Sequence, residues 1–112
     1  MSPITTHVLD TARGGPAAGV PIRLEVQEAG AWRELAAGVT NSDGRVHGLL
    51  PEGGLEARTY RMSFETGVYF TSLGLKGFYP YAQIVFEIHE PEEHYHVPLL
   101  LSPFGYSTYR GS

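Results

Sequence analysis

The stretch VPIRLEVQE, Val20–Glu28, decides the fold class. Ile22, Leu24 and Val26 recur at every second position, with Arg23, Glu25 and Gln27 between them. Successive side chains of an extended chain point to opposite faces, so this period of two predicts a half-buried β-strand. A helix would instead space its apolar residues by three and four. Ala29-Gly30 reads as a hairpin turn, and AWRELAAGVT returns beside the first strand with Trp32 and Arg33 on opposite faces.

The same period recurs on both sides of this hairpin. Toward the N-terminus, ITTHVLD, Ile4–Asp10, is a strand and TARGGPAAG a turn-rich loop. Toward the C-terminus, NSDGRVHGLL carries an Asp43-Gly44 turn signal followed by a short strand. EARTYRMSFET, Glu56–Thr66, alternates Tyr60, Met62 and Phe64 with Arg61, Ser63 and Glu65. The alternation lapses in TGVYFTSLGLKGFYP, where Val68–Leu73 reads as a short helix with Gly74 near its C-terminus. YAQIVFEIHE, Tyr81–Glu90, groups Ile84, Phe86 and Ile88; PEE turns the chain; HYHVPLLLS, His94–Ser102, runs back; PFGYSTYRGS ends in a short strand. About eight strands and one short helix, with turn signals at this spacing, predict an all-β sandwich.

The totals agree. A length of 112 residues, with no linker or internal repeat, predicts a single domain over 1–112. Hydrophobic residues at 42% and charged residues at 18% make the chain globular rather than disordered. Fourteen Gly and eight Pro suit short strands and tight turns. A net charge of −4 argues against a nucleic-acid or anionic-membrane surface. The absence of Cys excludes disulfides and thiolate chemistry. MSPITTHVLD has neither the basic nor the apolar region of a signal peptide, which makes the cytoplasm the expected location. No stretch reaches the ~20 apolar residues of a membrane helix.

Strand parity sorts the chemistry-bearing residues. In HYHVPLLLS, Val97, Leu99 and Leu101 form the core-facing row, so His96, Pro98 and Leu100 share the outer face. With Val8 facing the core, His7 and Leu9 point outward. At the C-terminal end Ser107, Tyr109 and Gly111 share one side. A lone surface His is ordinarily just solvated, and Arg45 beside a turn ordinarily serves solubility. Outward Leu9 and Leu100 beside outward histidines are less ordinary, and suggest a face covered by another subunit. Spacing alone does not say whether His7, His96 and Arg45 meet.

Other motifs are weaker. HEPEEHYH places His94 and His96 two apart on a strand, a spacing that can share a zinc ion with a carboxylate; an exposed acidic hairpin tip, with His89 beside it, is the more ordinary reading. ARGGPAAG lacks the ending of a phosphate loop, and no Gly-x-Ser-x-Gly elbow is present.

The chain ends YSTYRGS, and Tyr and Arg are side chains often used to grip flat polar ligands. Together, THVLDTARGGPAAGVPIRLE, TNSDGRVHGLL and HYHVPLLLSPFGYSTYRGS resemble, in order and spacing, the transthyretin-related family. The terminal Tyr-Arg-Gly-Ser is similar to the signature of its enzyme branch, the 5-hydroxyisourate hydrolases; the hormone carriers share LLSPFGYST-like residues but continue with a different tail. The resemblance implies a transthyretin-like two-sheet sandwich assembled as a homotetramer, a dimer of dimers with sites between the dimers. It implies that the catalytic residues correspond to His7, Arg45, His96 and Ser112. It implies substrate contacts from His7, Arg45, Tyr109, Arg110, Gly111 and Ser112. The implied reaction is opening of the cyclic amide of 5-hydroxyisourate in urate degradation, giving 2-oxo-4-hydroxy-4-carboxy-5-ureidoimidazoline. The alternative it leaves is a non-catalytic carrier of a small ligand. Ring opening needs an activated water, an oxyanion stabiliser and a proton donor for the leaving nitrogen, which calls for no cofactor and no metal. One of His7 and His96 would take the water's proton and the other relay or donate one. Arg45 would steady the oxyanion, and Ser112 would offer its hydroxyl and carboxylate. The partner expected is a small purine-derived substrate.

Overall fold

Two four-stranded sheets face each other in the computed structural model, which describes residues 2–112. One sheet has the order β2-β1-β7-β8: β1 (Ile4–Asp10), β2 (Gly15–Pro16), β7 (Tyr95–Ser102) and β8 (Gly105–Thr108). The other has the order β4-β3-β5-β6: β3 (Pro21–Glu28), β4 (Ala31–Val39), β5 (Thr59–Phe64) and β6 (Ala82–Glu87). A single helix, α1 (Thr66–Ser72), joins β5 to β6. Gly74 takes a φ of +72° just beyond it and donates its N–H to the Thr71 carbonyl at 3.0 Å, an ending that suits glycine.

The alternating residues do what their period requires. Ile4 and Val8 of β1, Leu24 of β3, Met62 and Phe64 of β5, and Leu99 and Leu101 of β7 are buried between the sheets. Burying one such side chain is worth ~1.5–3 kcal/mol, and this row is the main source of cohesion. Ala29 and Gly30, with φ of 50° and 78°, form the two-residue turn between β3 and β4. That twist matches the strands it joins, though an alanine is an uncommon occupant of positive φ. Glu25 lies on the outer face of its sheet yet is nearly buried. Arg61 covers it, bonding its carboxylate at 2.8 and 2.9 Å while stacking 4.3 Å from the Trp32 ring centroid.

Two expectations are revised. No strand follows the Asp43-Gly44 turn: Arg45 makes one isolated bridge, to His7, and Gly48 at φ +65° turns the chain out of extended geometry. The eighth strand is instead β2, two residues inside the segment read as a loop, paired to Leu9 and Asp10. Asp10 itself is buried, accepting from Tyr69 Oη at 2.7 Å and from the Ala12 and Arg13 N–H groups at 3.0 and 3.1 Å. These bonds carry the desolvation cost of a buried carboxylate and pin α1 to the first sheet.

The central feature for function is the β1–β7 pair. It is parallel, with Thr5 opposite His96, His7 opposite Pro98 and Leu9 opposite Leu100. Residues some 90 positions apart in sequence thereby share one outward face.

Candidate active site

On that outward face Thr5, His7 and Leu9 alternate with the buried Thr6, Val8 and Asp10, and His96 stands between the buried Tyr95 and Val97. Thr6 faces inward, donating its hydroxyl to the Val97 carbonyl at 2.6 Å and tying the two strands where the histidines sit.

Arg45 arrives from the loop before β5. Asn41 builds the turn that carries it: the Asn41 side-chain oxygen accepts from the N–H groups of Asp43 at 2.8 Å and Arg45 at 3.1 Å. The Asn41 N–H donates to the Arg45 carbonyl at 2.8 Å. This side-chain closure is the usual reason for Asn at a turn. Gly44 is required between them. Its φ is +75°, its carbonyl accepts from Val8 N–H at 2.8 Å, and a methyl group there would collide with the Val8 carbonyl. The turn is thus pressed against β1, and Arg45 bridges to the backbone of His7.

The C-terminal residues arrive from the other side. Gly111 forms an isolated bridge with His96 and donates its N–H to the His96 carbonyl at 2.9 Å. A Cβ on residue 111 would fall 2.5 Å from His96 Cδ2, so only glycine lets the imidazole lie flat against the chain. Ser112 then reaches a cavity of about 370 Å3 lined also by Thr5, Thr6, Arg45, Val46, His47, His94 and His96.

His7 does not line this cavity within the chain; its backbone bridges that of Arg45, and its charge acts on His96. Tyr109 and Arg110 are not at this cavity within one chain. They line a second cavity of about 490 Å3, bounded by β6, β7 and β8, which His96 also borders. Arg110 is held there, 3.0 Å from Glu93 Oε1 and 4.4 Å from the Tyr95 ring centroid. Tyr109 is exposed. Gly111 contributes its backbone and its lack of a side chain.

Parity does not single out Thr5 and His94, which belong to the same cluster. Thr5 Oγ1 lies 3.0 Å from His94 Nε2 and 2.9 Å from His96 Nδ1. The signal was present, since each stands two residues before a histidine already placed outward. Among the described residues, no three or more His, Cys, Asp or Glu side chains converge as a metal would require. His94 and His96 both meet Thr5, and no carboxylate of HEPEEHYH converges with them as a third ligand among the described residues.

The charged groups that act on His96 all oppose its protonation. Burial, then the charges of Arg45, His7 and His94, push the His96 imidazole below its ordinary 6.5. It is therefore neutral near pH 7 and able to accept a proton. An NMR titration of His96 is expected to give a midpoint below 6.5 in the native chain. In Arg45→Ala, loss of the second cause moves that midpoint upward, short of the ordinary value because burial remains. A midpoint that stays put or falls would contradict this origin.

An imidazole and a guanidinium on one cavity of a β-sandwich supply the base and the fixed positive charge that hydrolytic chemistry uses. The chain belongs to the HIUase/Transthyretin family, whose model matches residues 4–111. It is 50% identical to the 5-hydroxyisourate hydrolase of Mus musculus, over 99% of this chain and 96% of that one. Among solved structures it is similar to sea bream transthyretin in complex with thyroxine, with a TM-score of 0.93 and 38% identity over 98% of this chain and 95% of that one. It is also similar to the 5-hydroxyisourate hydrolase of Klebsiella pneumoniae, with a TM-score of 0.85 and 38% identity over 97% and 98% of the two chains. No helix among the described residues is long and apolar enough to cross a membrane.

Proposed function

We propose that this chain hydrolyses 5-hydroxyisourate, opening its cyclic amide in urate degradation. The fold does not decide between chemistry and carriage, because a thyroxine-bound transthyretin shares it. The observation that carries the reading is the meeting of His96, Arg45 and Ser112 on one cavity, with His7 bridged to Arg45.

The roles follow from the groups. Neutral His96 takes a proton from water, and the resulting hydroxide attacks the ring carbonyl. Arg45 stabilises the oxyanion that forms; its fixed, planar charge suits this better than a lysine. Collapse of the tetrahedral intermediate breaks the C–N bond, and an imidazolium returns a proton to the leaving nitrogen. His7, joined to Arg45, is the second imidazole available for that transfer. Ser112 offers its hydroxyl to the substrate. Tyr109 and Arg110 contribute from the neighbouring cavity.

The assembly that suits this site is a homotetramer, a dimer of dimers with the outward face of β1 and β7 lining the space between dimers. Leu9 and Leu100, opposite each other beside His7, support it, since they give the face an apolar rim. The deciding experiment follows the ultraviolet absorbance of freshly generated 5-hydroxyisourate. Decay much faster than the spontaneous rate, in proportion to added protein, is the expected result. Stoichiometric binding without faster decay would make the chain a carrier.

A further inference from the structure

The Thr5 hydroxyl sits between two imidazoles, and a hydroxyl has a single proton to give. Its oxygen is within hydrogen-bond reach of His94 Nε2 on one side and His96 Nδ1 on the other. Whichever nitrogen receives the Thr5 proton must carry a lone pair, and the other can then donate to the Thr5 oxygen.

Register makes this contact a property of the fold. Thr5 is directly opposite His96 across the parallel pair. His94 precedes β7, and the Tyr95 N–H after it donates to the Pro3 carbonyl at 2.9 Å, holding this end of the strand against β1. Arg110 also reaches the His94 carbonyl, at 3.4 Å, from the C-terminal side. The two rings and the hydroxyl all border the 370 Å3 cavity.

We propose that His94 acts through Thr5 as a positioning residue that fixes the tautomer of His96. His94 Nε2, carrying a lone pair, accepts the Thr5 hydroxyl proton. The Thr5 oxygen accepts the Nδ1–H of His96. The single proton of neutral His96 is thus held on Nδ1, and Nε2 keeps its lone pair for the water. When Nε2 takes the water's proton, the imidazolium still donates through Nδ1 to Thr5, so no rearrangement accompanies the step. The reverse arrangement would put the proton of neutral His96 on Nε2 and leave it unable to act as a base there. A buried imidazole commonly relies on its second nitrogen's partner to set its orientation and proton position. Here a hydroxyl relays that setting from an exposed histidine. This inference rests on His96 being the base in the proposed hydrolysis.

The test is 15N NMR of the imidazoles in the intact protein at pH 8, together with steady-state kinetics. In the native chain the His96 shifts should report Nδ1–H with an unprotonated Nε2. In Thr5→Val that preference should be lost and kcat should fall ~10–100-fold, the rate equivalent of one hydrogen bond to a charged group, with KM little changed. Thr5→Ser, which keeps the hydroxyl, should restore both. His94→Phe, which keeps a ring but removes the acceptor, should reproduce the Thr5→Val tautomer change. His96 protonated on Nε2 in the native chain would overturn the proposal, as would an unchanged tautomer in both Thr5→Val and His94→Phe. A kcat loss that Thr5→Ser fails to restore would reduce Thr5 to packing. The NMR arm needs no substrate, so failure of the relay is distinguished from failure of the hydrolase reading.

Discussion

His96→Ala is expected to lower kcat for 5-hydroxyisourate by ~10²–10⁴-fold, the range for removal of a general base. In the proposed reaction His96 is the base, and its surroundings suit that role. Burial and the Arg45 charge keep it neutral, and Gly111 gives its ring room. The loss is chemical and not structural, because the side chain projects from the outer face of β7 while the neighbouring Val97 remains in the core. The backbone bridge to Gly111 is also independent of the imidazole. Arg45→Ala and His7→Ala are expected to fall in the same range. The check is initial-rate measurement alongside a thermal melt and a sizing column. Near-native turnover in all three variants would remove the assignment of the site.

Deleting Tyr109–Ser112 is expected to reduce turnover to the spontaneous background and leave the sandwich folded. The four residues form no part of the buried core. β8 ends at Thr108, whose hydroxyl donates to the Pro98 carbonyl at 2.7 Å, so the last strand keeps its anchor. Four contributions vanish together: the Gly111 N–H to the His96 carbonyl, the Ser112 lining, the Tyr109 ring and the Arg110 guanidinium. A cooperative melt with lost activity is the expected pair of results. Wild-type rates in the shortened chain would show that the segment is dispensable.

Much of this was readable from period-two patterning. The alternation in ITTHVLD placed Val8 inward and His7 outward, and HYHVPLLLS did the same for Val97 and His96. What parity does not encode is which strands are neighbours. The parallel β1–β7 register, which sets Thr5 against His96, comes from long-range sheet order. The contacts of Arg45 with His7 and of Gly111 with His96 are single bridges, too short to leave a pattern. The segment after Gly44 reads as a strand on the Asp43-Gly44 turn signal, yet Val46 and Leu49 pack onto the core from a loop. β2 escaped because two residues cannot alternate. His94 was read as part of an acidic hairpin tip, and its turn toward Thr5 depends on that same unseen neighbour.

The parallel pairing also orders events during synthesis. β1 is made before its partner on one side, β7, with β2 to β6 between them. Until then Thr5 and His7 lie on a strand paired only to the two-residue β2. That edge of β1 is expected to stay open until β7 follows, and closing so long a loop is slow. The face that carries Thr5, His7 and His96 is complete only once β7 docks beside β1.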